Sequence, residues 1–407
     1  MSAGRGMTLY FHVHQPWRIR EYSVFDTASE HDYFSPPKRD HASNEAIFHK
    51  VANKSYRPMT TLLQKLVDTH PDFKFSLSIS GTFMEQAEAW GPDVIEAFRR
   101  LVDSGRVEIV AETFYHSLAF FYSETEFENQ VEMHRRKVKE LFGVVPTAFR
   151  NTELSYNDAL AQWADKRGYK TIITEGWDPV LGWRSPNYVY RPPETENIKL
   201  LLKNYRLSDD IAFRFGNKGW EGYPLTSDKF TTWANDSLAD GDTVNLFMDF
   251  ETFGENVWED TGIFQFFESF VGNWLSNEHN NFYTLTEAAE TFEPRDVVSM
   301  PHTVTWADSE RDLSAWIGNA MQHDALRYLY ALEGDVLRTG DLTLISDWRR
   351  LTTSDHSYYM CTKYFNDGDV HAYFSPYESP YEAFLYFMNA VRDMRYRLMM
   401  HYHHGGL

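Results

Sequence analysis

Cysteine is almost missing from this chain: 407 residues contain one, Cys361. A single thiol excludes an internal disulfide and a thiolate zinc cluster, agrees with a reducing compartment, and is expected to be a small buried residue. Long apolar runs are missing too. No stretch approaches the roughly 18 residues that cross a bilayer as a helix, and the opening "MSAGRGMTLYFHVHQP" has one Arg and a strand-like stretch but no apolar signal core. A cytoplasmic location is expected. Positive charge is scarce, with 39 basic against 59 acidic residues and a formal net charge of -20. That balance argues against nucleic acid or an anionic membrane as a partner and favours a neutral ligand.

Aromatic residues are abundant, with 12 Trp, 24 Tyr and 30 Phe. Many belong in a core, but Trp and Tyr also make stacking platforms for flat apolar ligand faces such as those of sugar rings. Through the first three hundred residues, β-rich runs alternate with helical ones. Strands are predicted at 8–13, 73–79, 106–111, 146–150, 169–174, 198–203 and 243–250, with helices such as "RPMTTLLQKLVDTH", "GPDVIEAFRRLVDSG" and "YNDALAQWADKRG" between them. Alternation of this kind implies a parallel sheet, and this many units suggests a barrel. After about residue 300 the pattern turns to long helices. "RDLSAWIGNAMQHDALRYLYALEGDVL" carries one apolar stripe and "SPYEAFLYFMNAVRDMRYRLM" another behind Pro380, which predicts a helical bundle over 301–407 after a barrel over 1–300. The closing "HYHHGGL" reads as a solvated tail.

In parallel α/β folds the chemistry gathers at the carboxyl ends of the strands. The polar residues there are His14 and Gln15, Ser80, Glu112, Asn151 and Glu153, Glu175, and the pair Asp249 and Glu251 in "FMDFETFGEN". On a continuing strand, Asp249 and Glu251 would share a face and repel. Two carboxylates facing a common point suit acetal hydrolysis, one attacking the sugar carbon and the other protonating the leaving oxygen. Glu153 and Asp249 form the best such pair. His12 and His14 alternate with Val13 and share a strand face, suited to core packing, to hydrogen bonding of sugar hydroxyls, or, with a nearby acid, to a divalent metal. Glu255 is expected to be a solvated loop acid or a rim contact. The stretch "GWDPVLGWRSPNYVYRPP" is either a groove wall or a surface excursion.

"FHVHQP", "SISGTFMEQ", "FRNTELSYN", "MDFETFGEN" and "TSDHSYYM" resemble, in order, the five conserved regions of glycoside hydrolase family 57, and "VTWADSERDLSAWIGNAMQ" is similar to its α-amylase branch. The resemblance runs from about residue 8 to the helices near 395. It implies an incomplete (β/α)7 barrel with a C-terminal helical domain contributing to the active-site groove. It also implies retaining chemistry on α-glucans such as starch, glycogen or maltodextrins, with no metal or organic cofactor. Position by position, Glu153 matches the nucleophile and Asp249 the general acid/base. His12 and His14 match the histidines beside the nucleophile, and Asp355, followed by His356, matches a substrate-contacting carboxylate. Trp306 and Asp308 fall in the aromatic segment near the sugar.

Arg150, next but two before Glu153, is a cation suited to keeping that carboxylate ionised, and Glu251 is expected to help hold a proton near Asp249 or to bind a hydroxyl. The resemblance alone gives the acid to Asp249; spacing does not separate it from Glu251. A 4-α-glucanotransferase or branching enzyme would use the same acids. Two other readings stay open: a metal-dependent carbohydrate deacetylase with His12, His14 and an acid as ligands, and a non-catalytic glucan-binding protein.

Overall fold

The computed structural model describes residues 5–36, 43–363 and 375–404. All seven expected strands are present: β1 (Arg5–Val13), β2 (Phe75–Ile79), β3 (Val107–Ala111), β4 (Ala148–Phe149), β5 (Thr171–Glu175), β6 (Lys199–Lys203) and β7 (Thr243–Asp249). They pair in parallel in the order β6-β5-β4-β3-β2-β1-β7. A further strand, β8 (Asn280–Tyr283), pairs with the start of β1. Its sequence, "NNFY", is too short and polar to read as a strand.

The alternation of side chains along β1 divides two cores. Tyr10 faces inward onto Val110, Ile173, Leu201 and Phe247, from four other strands. Phe11 faces outward, onto the rings of Phe75, Phe250, Phe253 and Phe267. The inward side of β1 is therefore also the side of His12. Between β6 and β7 the ring is joined by single bonds in place of a ladder: Asn204 N donates to Asn245 O at 2.9 Å and Asn245 Nδ2 to Leu202 O at 2.9 Å. This is the incomplete barrel expected from the sequence. Nearer the start of β6, the same β7-facing edge is covered by an antiparallel bridge from Tyr190 to Leu200, which protects it from further pairing.

The chain divides into two compact units. The first is Met1–His14, His49–Glu112 and His134–Trp306; the second is Gln15–Phe48, Thr113–Met133 and Ala307–Leu407. Residues 15–48 and 113–133, which the sequence groups with the strands, thus belong with the helices. Ile19, Tyr22 and Tyr33 are buried in the helical core beside Leu329, Trp348, Phe387, Val391 and Met394. The long helix expected across 311–337 is three helices, Ser314–Ile317, Ala320–Tyr330 and Glu333–Thr339. A break falls at Asn319, whose side chain accepts from Gln322 N while Gln322 Oε1 accepts from Asn319 N, a reciprocal cap that starts a new helix. Pro380 does open a helix, Pro380–His404. Cys361 is buried. Gly405–Leu407 of the expected tail lie outside the described residues.

Candidate active site

The carboxyl ends of the strands in the first unit carry a ring of polar and charged side chains, several of them fully enclosed. Glu112 at the end of β3 and Arg150 just beyond β4 are completely buried, and His12 nearly so. Arg150 Nη1 lies 3.4 Å from Glu112 Oε2, and His12 Nε2 lies 3.3 Å from the same oxygen. On its other side His12 Nδ1 is 3.6 Å from Asp249 Oδ1. His12 therefore links a buried carboxylate on β3 to a half-exposed one at the end of β7. Behind this layer, the buried His134 donates from Nε2 to Ile79 O at 2.9 Å and receives Glu112 N at Nδ1 at 3.4 Å; burial lowers its pKa.

Glu153 occupies a turn after β4 with left-handed backbone angles, φ 61° and ψ 28°, followed by Leu154 at φ 52°. Two successive non-glycine residues in that region store strain, a pattern that concentrates at functional sites. The Glu153 carboxylate receives a hydrogen bond from Trp306 Nε1 at 2.9 Å. Trp306 is itself flanked by cations, with the Arg150 guanidinium 5.6 Å and the Lys203 ammonium 5.5 Å from its ring centre. Lys203 ends β6 and lies 3.2 Å from Asp209 and 3.8 Å from Glu175. Burial would lower the pKa of Arg150, but Tyr10, Glu112, Glu153 and Asp249 outweigh it and raise it. One guanidinium thus feels both carboxylates of the expected catalytic pair.

The turn after β7 is built differently. The strand stops at Asp249, and Phe250–Thr252 forms a 3-10 turn, so Asp249 and Glu251 do not share a strand face as the sequence suggested. Glu251 Oε1 accepts from Tyr56 Oη at 2.6 Å and from His14 N at 3.3 Å. Desolvation, and then the charge of Asp249, push the Glu251 carboxyl up to about 8. Tyr56 closes a π-helical turn, Ala52–Tyr56, that grips this loop repeatedly. Ser55 Oγ donates to Phe250 O at 3.3 Å, while Glu255 pairs with Lys50 at 2.6 Å and Lys54 at 3.4 Å. Gly254 has φ 101°, and a Cβ there would stand 1.9 Å from Lys54 O. Glu255 is therefore a tether for the loop, not a solvated acid.

The sequence-predicted residues distribute as follows. His12, His14, Glu153, Asp249, Glu251 and Trp306 are all in the first unit, tied by the contacts above. The rings of His12 and His14 stack with centres 5.5 Å apart, and His14 Nδ1 bonds Ser80 Oγ at 2.8 Å. Asp308, Asp355 and His356 belong to the second unit. Asp308 lies 3.4 Å from Lys363 Nζ. Asp355 is half-buried on the short helix Ser354–Tyr358. His356 is buried, donates from Nε2 to Arg350 O at 3.2 Å, and is pushed by burial down to about 4, so it is a neutral residue of that core. Tyr56, His134 and Lys203 were not anticipated. Lys203 alone had a sequence signal, a lysine closing the apolar run "IKLLL".

The sequence profile of glycosyl hydrolase family 57 matches residues 8–301. The chain belongs to that family. As a family 57 member it is a glycosidase. A Methanocaldococcus jannaschii protein provisionally named an alpha-amylase is 40% identical over 403 residues, covering 96% of this chain and 84% of that protein. The 4-alpha-glucanotransferase of Thermococcus litoralis is 24% identical over 278 residues, covering 66% of this chain and only 40% of that enzyme. In fold, the family 57 branching enzyme of Pyrococcus horikoshii is similar with a TM-score of 0.67 at 15% identity, over 88% of this chain and 85% of that one.

Proposed function

We propose that this family 57 chain is a cytoplasmic α-amylase that cuts internal α-1,4 bonds of starch, glycogen or maltodextrins with retention. Glu153 attacks the anomeric carbon while Asp249 protonates the leaving oxygen; Asp249 then takes a proton from the water that releases the glycosyl group from Glu153. The observation that carries the reading is the clamp on Glu153: a strained turn holds the residue in place, and an indole N–H donor and a buried guanidinium complement negative charge on its carboxylate. At the end of β7, His12 stands beside Asp249, and the charge of Asp249 couples to Glu251, whose carboxyl is pushed up to about 8. The identity to the M. jannaschii relative over nearly the whole chain supports the amylase assignment.

Incubation with maltoheptaose tests it. Shorter products with rising reducing ends mark hydrolysis. Products longer than the substrate mark transfer to a sugar hydroxyl, as the name of the T. litoralis relative suggests. No turnover on any α-glucan would overturn the reading, and activity lost on exhaustive chelation would favour metal-dependent chemistry instead.

A further inference from the structure

A shallow cavity of about 270 Å³ opens on the first unit along the segment that covers the β6 edge, apart from the acids just described. Its most prominent wall is Trp183, whose side chain is 85% exposed although it is among the largest apolar groups in the chain. The mount beneath it is firm. Arg184 donates from Nε to Leu181 O at 3.1 Å and from Nη1 to Val297 O at 2.9 Å and Asp296 Oδ2 at 3.3 Å. The same cavity has a polar part of its lining. Tyr188 Oη donates to Asp240 Oδ1 at 3.0 Å, and the Arg295 guanidinium lies 5.2 Å from the Tyr188 ring centre.

This combination of an aromatic face held out to solvent beside paired carboxylates and guanidinium groups is the chemistry that recognises a pyranose ring: C–H faces stack on the indole, and neighbouring hydroxyls pair with charged groups. A purely apolar protein contact would strip water from those charged groups and offer them no hydrogen bonds in return. Asp240 stands just before the amino end of β7, and the rise of that strand puts Asp249 about 20 Å away. The cavity is thus separate from the strand ends that carry the acids. It is also smaller than the roughly 300–1,000 Å³ of drug-sized ligand clefts, a shelf for a ring or two.

We infer that Trp183, Tyr188, Asp240 and Arg295 form a non-catalytic surface site for a segment of α-glucan. The inference rests on the proposed α-glucan specificity. On a polymer with many equivalent segments, such a site raises the effective substrate concentration at the strand-end acids; on a short oligosaccharide it adds nothing.

The test compares wild type, Trp183→Ala and Tyr188→Phe in native gels containing glycogen and in kinetics on maltoheptaose. Trp183 is exposed, so its replacement is expected to leave the fold intact. The expected result is retention by glycogen weakened about five- to tenfold in Trp183→Ala and less in Tyr188→Phe, with kcat/KM on maltoheptaose within about twofold of wild type. Undiminished retention of Trp183→Ala in an enzyme active on maltoheptaose would overturn the surface site alone. Retention that depends on Trp183 in a protein inactive on every α-glucan would uphold the surface site and sink the amylase reading. Equal losses on glycogen and maltoheptaose would place Trp183 in the catalytic groove and contradict the inference.

Discussion

The turns that follow β4 and β7 each present an acid at the mouth of the same barrel, and they are built on opposite principles. After β4 the backbone is strained into the left-handed region, and the surroundings of Glu153 are donors and cations: Trp306 Nε1 and Arg150. After β7 the backbone of Asp249 is relaxed, and Glu251, which feels its charge, is desolvated and protonated up to about 8. One turn is organised to hold a negative charge, the other to keep a proton close by. A double displacement needs that asymmetry, because a nucleophile and a proton donor are both carboxyl groups and only their environments set them apart.

The largest effects should come from removing the two acids. Glu153→Gln is expected to lower kcat on maltoheptaose by at least about 10⁴-fold with an unchanged fold, measured by reducing-end release and circular dichroism. Asp249→Asn should cost about 10²–10⁴-fold, and much less on a 4-nitrophenyl maltooligosaccharide, whose leaving group needs little protonation. An equal loss on both substrates would remove the proton-donor role from the β7 turn. Trp306→Phe keeps a ring but deletes the donor to Glu153; kcat should fall about 10- to 100-fold with KM little changed, the scale of one hydrogen bond to a charged group. A rise in KM alone would make Trp306 a sugar platform and not a positioning residue.

The smallest effects should appear in pH dependence. Glu251 loses its proton near pH 8, placing a negative charge next to the proposed proton donor, so Glu251→Gln should alter the alkaline limb of the rate profile. In the folded state Glu251 keeps its proton between about 4.5 and 8, where the unfolded chain has lost it. Stability should therefore fall as pH rises through that window, and Glu251→Gln should flatten the fall in thermal melts. The Tyr56 hydrogen bond opposes the rise of the Glu251 pKa, so Tyr56→Phe should move the alkaline limb upward. A limb unmoved by both variants would detach Glu251 from catalysis.

The β4 turn was more legible in the sequence than the β7 turn, for physical reasons. Glu153 and Arg150 are neighbours in the chain, so local spacing brings cation and acid together. The partners of Glu251 and Glu255, by contrast, are Tyr56 and Lys54 on a π-helical turn and Lys50 on the helix before it, about two hundred residues away in the chain. The strands were legible because short β-branched and apolar stretches alternate with helical ones along the chain. β8 was not, since its role is to pair with β1 and only Phe282 of its four residues is a buried apolar side chain. The helix breaks near Asn319 hid beneath an apolar stripe that continues across them.

The most direct test is to trap the covalent intermediate. Asp249→Asn, reacted with an α-maltosyl fluoride, quenched in acid and mapped by peptide mass spectrometry, should carry the sugar on Glu153. A label on Glu251, or single-step release of the inverted anomer, would contradict the assignment of nucleophile and mechanism together.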